Sequence, residues 1–317
     1  MQWTSKLASL LLASLLIAVI ASGCGGGSDN SSSAEAGGST TGSTVASTAS
    51  AGADQKVADE VPADIKSKGV LNIATDTTFP PFEFIGADSQ AIEGIDPDMI
   101  KAIAEVMGLK ANVKGVKFDA IIPGLAAGEY DIAISSFAVS AERMKVIDMV
   151  TYLAAGNSYV VNAKVDGTNL KGPNDLCGLR IAVLKGTTNA VEAHQLAKKC
   201  GGKTKVLDFP EQSAANLAVT SGRADVTSSI APAAAYFADR SNGQLKVAGV
   251  NYDGSRPFGI AVPKGSGLAP PIRDAVQVLI DNGTYEQILA KWKSEAAALK
   301  KAPEVNPTEF GPTGATS

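Results

Sequence analysis

The stretch RIAVLKGTTNAVEAHQLAKK, residues 180–199, decides how the fold is read. Residues 180–184 (RIAVL) form a short, nearly all-apolar run of strand length, and residues 190–199 then read as a helix. Between them lies Gly186-Thr187-Thr188, so a buried strand hands over to a helix through a small-residue turn. Working outward toward the carboxyl end, residues 205–207 read as a strand, 213–221 as a helix and 224–228 as a strand. Toward the amino end, VLNIAT (70–75) and DIAIS (131–135) read as strands. Between them, PDMIKAIAEVM (97–107) sets Met99, Ile100, Ile103 and Val106/Met107 on one helical face and stops at Gly108. This alternation predicts α/β layering with largely parallel sheets. Ligands of such sheets sit beyond the carboxyl ends of strands. Asp76, Ser135/Ser136 and Gly186–Thr188 each follow a strand, so they are expected to converge on a small-molecule cleft between two lobes.

Length and composition narrow the function. The 317 residues suggest about two domains. With 28 Lys+Arg against 32 Asp+Glu the net charge is −4, which argues against a nucleic-acid surface. A single histidine, His194, excludes His-pair zinc motifs and triads needing a second His. No metal and no cofactor is expected, and three cysteines are too few for a disulfide scaffold.

Residues 1–24 read as an export leader. Lys6 supplies positive charge, and LASLLLASLLIAVIA (7–21) is an apolar core shorter than the roughly 20 residues of a spanning helix. Ala21-Ser22-Gly23-Cys24 resembles the bacterial lipobox, which implies lipidation of Cys24 by acyl chains such as palmitate; an ordinary leader with an incidental cysteine is the alternative. Residues 25–56 are mostly Gly, Ser, Thr and Ala, too poor in large side chains to offset ordering entropy, and read as a disordered tether. A coil of about 30 residues reaches roughly 30 Å. With Cys24 lipidated, as that resemblance implies, Cys177 and Cys200 remain for a disulfide in an exported setting; two buried thiols are the other possibility.

The runs ATDTTFPPFEF (74–84), FDAIIPGLAAGEYDIAIS (118–135) and SAERMKVID (140–148) resemble the amino-acid class, family 3, of substrate-binding proteins of ABC transporters. The resemblance continues in order through LKGTTNA (184–190), SGRADV (221–226), PFGIAVPKGSG (257–267) and NGTYEQILAKW (282–292). It implies a type II periplasmic-binding-protein fold, a Venus flytrap of two α/β lobes joined by two crossover segments. Lobe one would comprise 57–154 plus 260–300 and lobe two 159–255, with 301–317 as a tail. The crossovers would lie near 155–158 and 256–259. Such proteins close on a ligand and present the closed form to a permease.

The resemblance also implies a site. Asp76 and Phe79 match positions that reach and pack a ligand side chain; an Asx-turn for Asp76 and a core place for Phe79 are the alternatives. Phe118 matches a stacking aromatic, or else is core. Ser135 and Ser136 would offer N–H and hydroxyl donors to a carboxylate, and Arg143 matches the carboxylate-binding arginine, whose planar fork Lys cannot copy. A surface Arg143 paired with Glu142 or Asp148 is the competing reading. Gly186, Thr187 and Thr188, before a helix, would contribute polar groups from lobe two, helix capping by a threonine being compatible.

Two positions depart from the pattern. Ala138 stands where a hydroxyl residue is usual. Ile230 stands where amino-acid binders place the aspartate that meets the ligand's α-ammonium, so Asp76, Glu211 or a neighbour would have to replace it, or the ligand is not an ordinary α-amino acid. The expectation is a monomeric, lipid-anchored receptor on the outer face of the membrane. It would capture a small carboxylate-bearing solute for an ABC permease, without catalysis or nucleic acid. Alternatives are an exported enzyme of the same fold, similar to cyclohexadienyl dehydratase, or a sensory accessory protein.

Overall fold

The computed structural model describes residues 52–309 apart from positions 89, 168, 251 and 252. The leader, Cys24 and residues 25–51 of the tether lie outside the described residues, as do residues 310–317 of the tail.

The chain begins with helices α1 (Gln55–Glu60) and α2 (Ala63–Lys68) and strand β1 (Val70–Thr75). A small antiparallel meander follows: β2 (Thr78–Phe79), β3 (Glu83–Ile85) and β4 (Ile92–Glu93). Then come α3 (Ile95–Val106), β5 (Lys110–Gly115), α4 (Phe118–Ala126), β6 (Ile132–Ala138), α5 (Ala141–Val146) and β7 (Ile147–Ala155). After Gly156 the chain enters a second sheet with β8 (Asn157–Asn162), β9 (Arg180–Leu184), α6 (Thr188–Lys199) and β10 (Lys205–Phe209). That part closes with α7 (Gln212–Thr220), β11 (Val226–Ile230), α8 (Ala231–Asp239) and β12 (Leu245–Ala248). Strand β13 (Arg256–Pro263) returns to the first sheet, followed by α9 (Ala269–Asp281) and α10 (Thr284–Lys291).

The two sheets repeat one plan, ordered β5-β1-β6-β13-β7 and β10-β9-β11-β8-β12. In each, the first three strands are parallel and the fourth runs against both neighbours. The reversed strands, β13 and β8, are those by which the chain enters from the other sheet. The expectation of largely parallel sheets holds for four strands of each five, and the reversed fourth makes each sheet mixed, because a chain arriving from the far lobe starts at the edge where the other strands end. That edge carries the site.

Packing follows the sequence pattern. The helical face read in residues 97–107 is sealed: Met99, Ile100, Ile103 and Val106 are fully buried in the larger core of lobe one with α9. Lobe two has a core on each face of its sheet. Cys177 and Cys200 are disulfide-bonded with their Cα atoms 5.5 Å apart, joining the turn before β9 to the end of α6.

Several boundaries shift. Residues 54–56 belong to the fold rather than to the tether: Asp54 caps α1 by accepting from the Val57 amide (3.1 Å), and its own N–H donates to Val106 O (2.9 Å). A short polar cap beside low-complexity sequence has no hydrophobic pattern to reveal it. Residues 256–259 pair within β13 and so belong to lobe one, which puts the second crossover before Arg256. Ala155 still belongs to β7, and the lobe-two sheet starts at Asn157. Residues 304–306 are not loose tail. Thr151 and Glu304 exchange hydrogen bonds, Val305 bridges Val150, and the Asn306 carboxamide meets the Met149 amide and Asp148 along β7.

The two crossovers are tied together. The Asn157 amide and side-chain Nδ2 donate to the two oxygens of Asp253 (2.6 and 2.7 Å), which also pairs with Arg256 Nη2 (2.7 Å). Arg256 Nη1 reaches Glu192 on α6 (3.1 Å).

Candidate ligand-binding site

The strand ends and the starts of the reversed strands enclose a cavity with about 560 Å³ of empty space, its mouth included. Asp76, Phe79, Phe118, Ser135, Ser136, Ala138, Arg143, Thr187, Thr188 and Ile230 all line it. Gly186 takes part through its carbonyl.

Arg143 dominates one end. It sits on α5, a short helix started by Ser140, whose hydroxyl accepts from the Arg143 amide (3.3 Å). Its Nη1 donates to Ala138 O (2.8 Å) and its Nη2 to Gly186 O (3.1 Å), one carbonyl from each lobe. The rings of Phe118 and Phe137 lie 5.6 and 5.2 Å from the guanidinium carbon, within cation–π range. Burial lowers its pKa to about 10, so it stays charged at neutral pH. Among the described residues no carboxylate forms an ion pair with it. Glu142 is held by Lys145 (2.6 Å) and Asp148 by Lys264 (3.1 Å), which disposes of the surface-pair alternative. A guanidinium carries five N–H donors in a planar fork, the geometry that suits bidentate bonding to a carboxylate.

Beside it, α6 presents its amino end. Thr187 is the N-cap: its hydroxyl accepts from the Ala190 amide (3.1 Å) and donates to Leu184 O (2.7 Å). Thr188, the first helical residue, borders the cavity. The turn before the helix needs Gly186, at φ +81°, where a Cβ would come within 3.1 Å of the Asp119 Cβ on the facing lobe. Lys185 pairs with Asp119 (2.9 Å) at the same junction. Elsewhere the lobes meet where the Gln212 amide donates to the Thr78 hydroxyl (3.3 Å) and the Phe237 ring lies 6.3 Å from Phe79. The cleft is closed.

The opposite end is acidic. Asp76 accepts from both the amide and the hydroxyl of Thr78 (2.6 Å each), so the Asx-turn reading holds while the residue still faces the cavity. Burial raises its pKa against those bonds. Glu83, 1% exposed, also lines the cavity and accepts from the Ser135 hydroxyl (2.9 Å). Directly behind it is Asp96, which accepts from the Tyr152 hydroxyl (2.7 Å) and from the Ser136 amide (2.8 Å). Burial and the neighbouring carboxyl push Glu83 well above the ordinary range, and burial lifts Asp96 to about 6. Ser136 has φ 47°, a left-handed turn in β6 that breaks strand alternation and lets both adjacent serines serve this cluster.

Sequence reasoning missed Glu83, Asn157, Asn189, Gln212, Ser229 and Phe258, all of which line the cavity. An acid between Phe82 and Phe84 was the legible signal for Glu83; the others come together only through the crossovers. Glu211, a candidate ammonium partner, instead accepts from Ser213 (3.5 Å) and is absent from the lining. Ile230 is buried and packs into the lobe-one core, at the start of α8, beside Ser229, whose hydroxyl has no hydrogen-bond partner among the described residues.

The sequence model of the bacterial extracellular solute-binding proteins, family 3, matches residues 71–295. The chain belongs to that family. This solute-binding protein is 35% identical over 247 residues to the arginine-binding protein ArgT of Corynebacterium glutamicum, covering 76% of this chain and 80% of ArgT. An ancestral arginine-binding protein solved with arginine bound is 35% identical, with a TM-score of 0.66, over 71% of this chain and 98% of that one. An ancestral amino acid-binding protein described as a precursor of cyclohexadienyl dehydratase is 31% identical, with a TM-score of 0.64, over 72% and 97%. The fold is that of type II periplasmic binding proteins, and the protein is a binding component of the amino-acid class of ABC importers. No described helix is long and apolar enough to cross a membrane.

Proposed function

We propose that this solute-binding protein is the lipid-anchored receptor of its importer and that its cargo is an amino acid with a basic or amide side chain. Arg143 carries the reading: a buried, charged guanidinium fixed by two carbonyls and lacking an acid partner among the described residues. A ligand carboxylate would take its free N–H groups together with the first amides of α6, while Asp76 and Glu83 receive donors from the far end of the ligand. The arginine-binding relatives favour arginine as the first ligand to try. The lipobox-like Cys24 and the tether support an anchor on the outer face, from which a monomer would serve the permease.

A thermal-shift screen of the unfolded and refolded protein tests the ligand class, using amino acids, their keto and hydroxy analogues, and small dicarboxylates. A ligand at 100 times its Kd stabilises by about 2.7 kcal/mol. Arginine or another polar amino acid should raise Tm, and a screen in which no carboxylate does so defeats the proposal. For the anchor, Cys24→Ser should free the protein from membranes or leave it unprocessed.

One observation favours a second reading, an enzyme of the same fold: Glu83 is a cavity acid whose pKa is raised by burial and by Asp96, the direction a general acid needs. Turnover of prephenate or arogenate would establish it; binding without turnover supports the receptor.

A further inference from the structure

The acidic end of the cavity has more carboxyl groups than its surroundings can keep ionised. Glu83 on β3 and Asp96 on α3 are both buried and share the Ser136 hydroxyl (3.4 and 3.2 Å), and two carboxyls this close out of water hold one proton between them. The donors decide which keeps it. Asp96 is served by the Tyr152 hydroxyl (2.7 Å) and the Ser136 amide (2.8 Å), with the Ser136 hydroxyl nearer to it (3.2 Å) than to Glu83 (3.4 Å). Glu83 has the Ser135 hydroxyl (2.9 Å). The proton therefore sits on Glu83, the member that faces the ligand space.

Every element packed round the pair adds to this picture. Asp76, at the end of β1, is a like charge beside Glu83. Tyr152 on β7 and Ser135 and Ser136 on β6 are neutral donors. Glu211, at the start of α7, acts on Asp76 as a further like charge. Arg143, across the cavity, is held by carbonyls, and among the described residues no cation forms an ion pair with Glu83 or Asp96. The missing counter-charge is one that a ligand can bring.

We infer that Glu83 sets the charge class of the cargo through its shared proton: a ligand with a cationic far end expels it to solvent on closure, whereas a ligand with a neutral far end leaves it in place. The inference rests on Arg143 as the carboxylate anchor, which orients the far end of the ligand toward Glu83. The complex with a cation then holds one proton fewer than the free protein plus ligand. Its affinity rises with pH, by up to about tenfold per unit while Glu83 remains protonated in the free protein. The affinity for a neutral isostere stays flat.

L-Arginine and L-citrulline test this, because they share the α-carboxylate, α-ammonium and chain length and differ in a guanidinium against a neutral ureido group. Titration calorimetry on the stripped protein at pH 7, in two buffers of different ionisation enthalpy, counts protons. The expected result is about one proton released with arginine and none with citrulline. Glu83→Gln should abolish both the proton release and the pH dependence for arginine. Should that variant fail to fold, the pH dependence of the two wild-type affinities between pH 6 and 8 decides instead. Equal heats in both buffers for arginine, equal release with both ligands, or no arginine binding at millimolar concentration would overturn the inference. Arginine binding without proton release, together with citrulline binding lost in Arg143→Ala, would show the functional reading standing while the proton inference falls; binding of neither probe nor any other carboxylate would remove both.

Discussion

The two walls of the cavity differ in kind. Lobe one contributes Asp76, Glu83 and Arg143, and every ionisable residue in the lining belongs to it. Lobe two offers Asn157, Thr187, Thr188, Asn189, Gln212 and Ser229 with apolar Leu184 and Ile230. Burying a charge is costly and burying a hydrogen-bonded neutral group much less so. In lobe one these groups take bonds from within the lobe, Arg143 to Ala138 O, Asp76 from Thr78 and Glu83 from Ser135, and only Gly186 O adds a bond to Arg143 from lobe two. Lobe two can therefore swing onto a ligand without stripping water from a charge of its own. The division assigns charge reading to one lobe and enclosure to the other.

The strongest way to break this division is Arg143→Ala. A ligand carboxylate left unpaired in a closed cleft costs about 3–5 kcal/mol, so calorimetry should find binding reduced by more than a hundredfold. Arg143→Lys should recover only part of it, since the fork is lost. Enclosure is probed by Gly186→Ala, whose Cβ meets Asp119 across the cleft; affinity should fall about tenfold. Gly201→Ala, at φ +65° with open space round it, should cost stability but not affinity.

A third test uses pH. In the folded protein Asp96 is raised from 3.8 to about 6 and Glu83 lies well above its ordinary value, so the folded state holds protons that the unfolded chain has lost. Stability from this pair is greatest at the acid end of that window and falls as pH rises through about 6. The ligand-free Tm should drop between pH 5 and 7, and the drop should shrink in Glu83→Gln, each kcal/mol being worth about 2–4 °C. The smallest effect sharpens the neutrality of lobe two: with Ile230 and no acid in its share of the described lining, the α-hydroxy analogue of the preferred amino acid should bind within about tenfold of it, about 1.4 kcal/mol. A complete loss of binding by the analogue would mean that another group meets the ammonium.

How much could be read from the chain depends on the range of the interactions. The run 180–199 revealed β9, the Gly186 turn and α6 because strand, turn and helix are encoded within a few residues. Arg143, Thr187 and Thr188 were legible from motifs that lie whole within one segment. Glu83 was not, because its meaning comes from Asp96 and Tyr152, 13 and 69 positions further along the sequence. Asn157 gains its place from Asp253 and Arg256 at the other crossover, a partnership with no local pattern. The strands β8 and β13 read as ordinary apolar runs, and their reversed direction is a property of the path between lobes.

The strapping of residues 304–306 along β7, with Asp54 bonded to the end of α3, has a practical corollary. Both ends of the described chain ride on lobe one, so dyes fused at the two ends would report a constant separation through every opening and closing. One dye at either end and another at position 217, where Leu217 stands exposed on α7, would span the moving gap. The same geometry makes lobe two the passenger: an anchor or a pulling handle attached through either end holds the charge-reading lobe still and leaves the other free to swing.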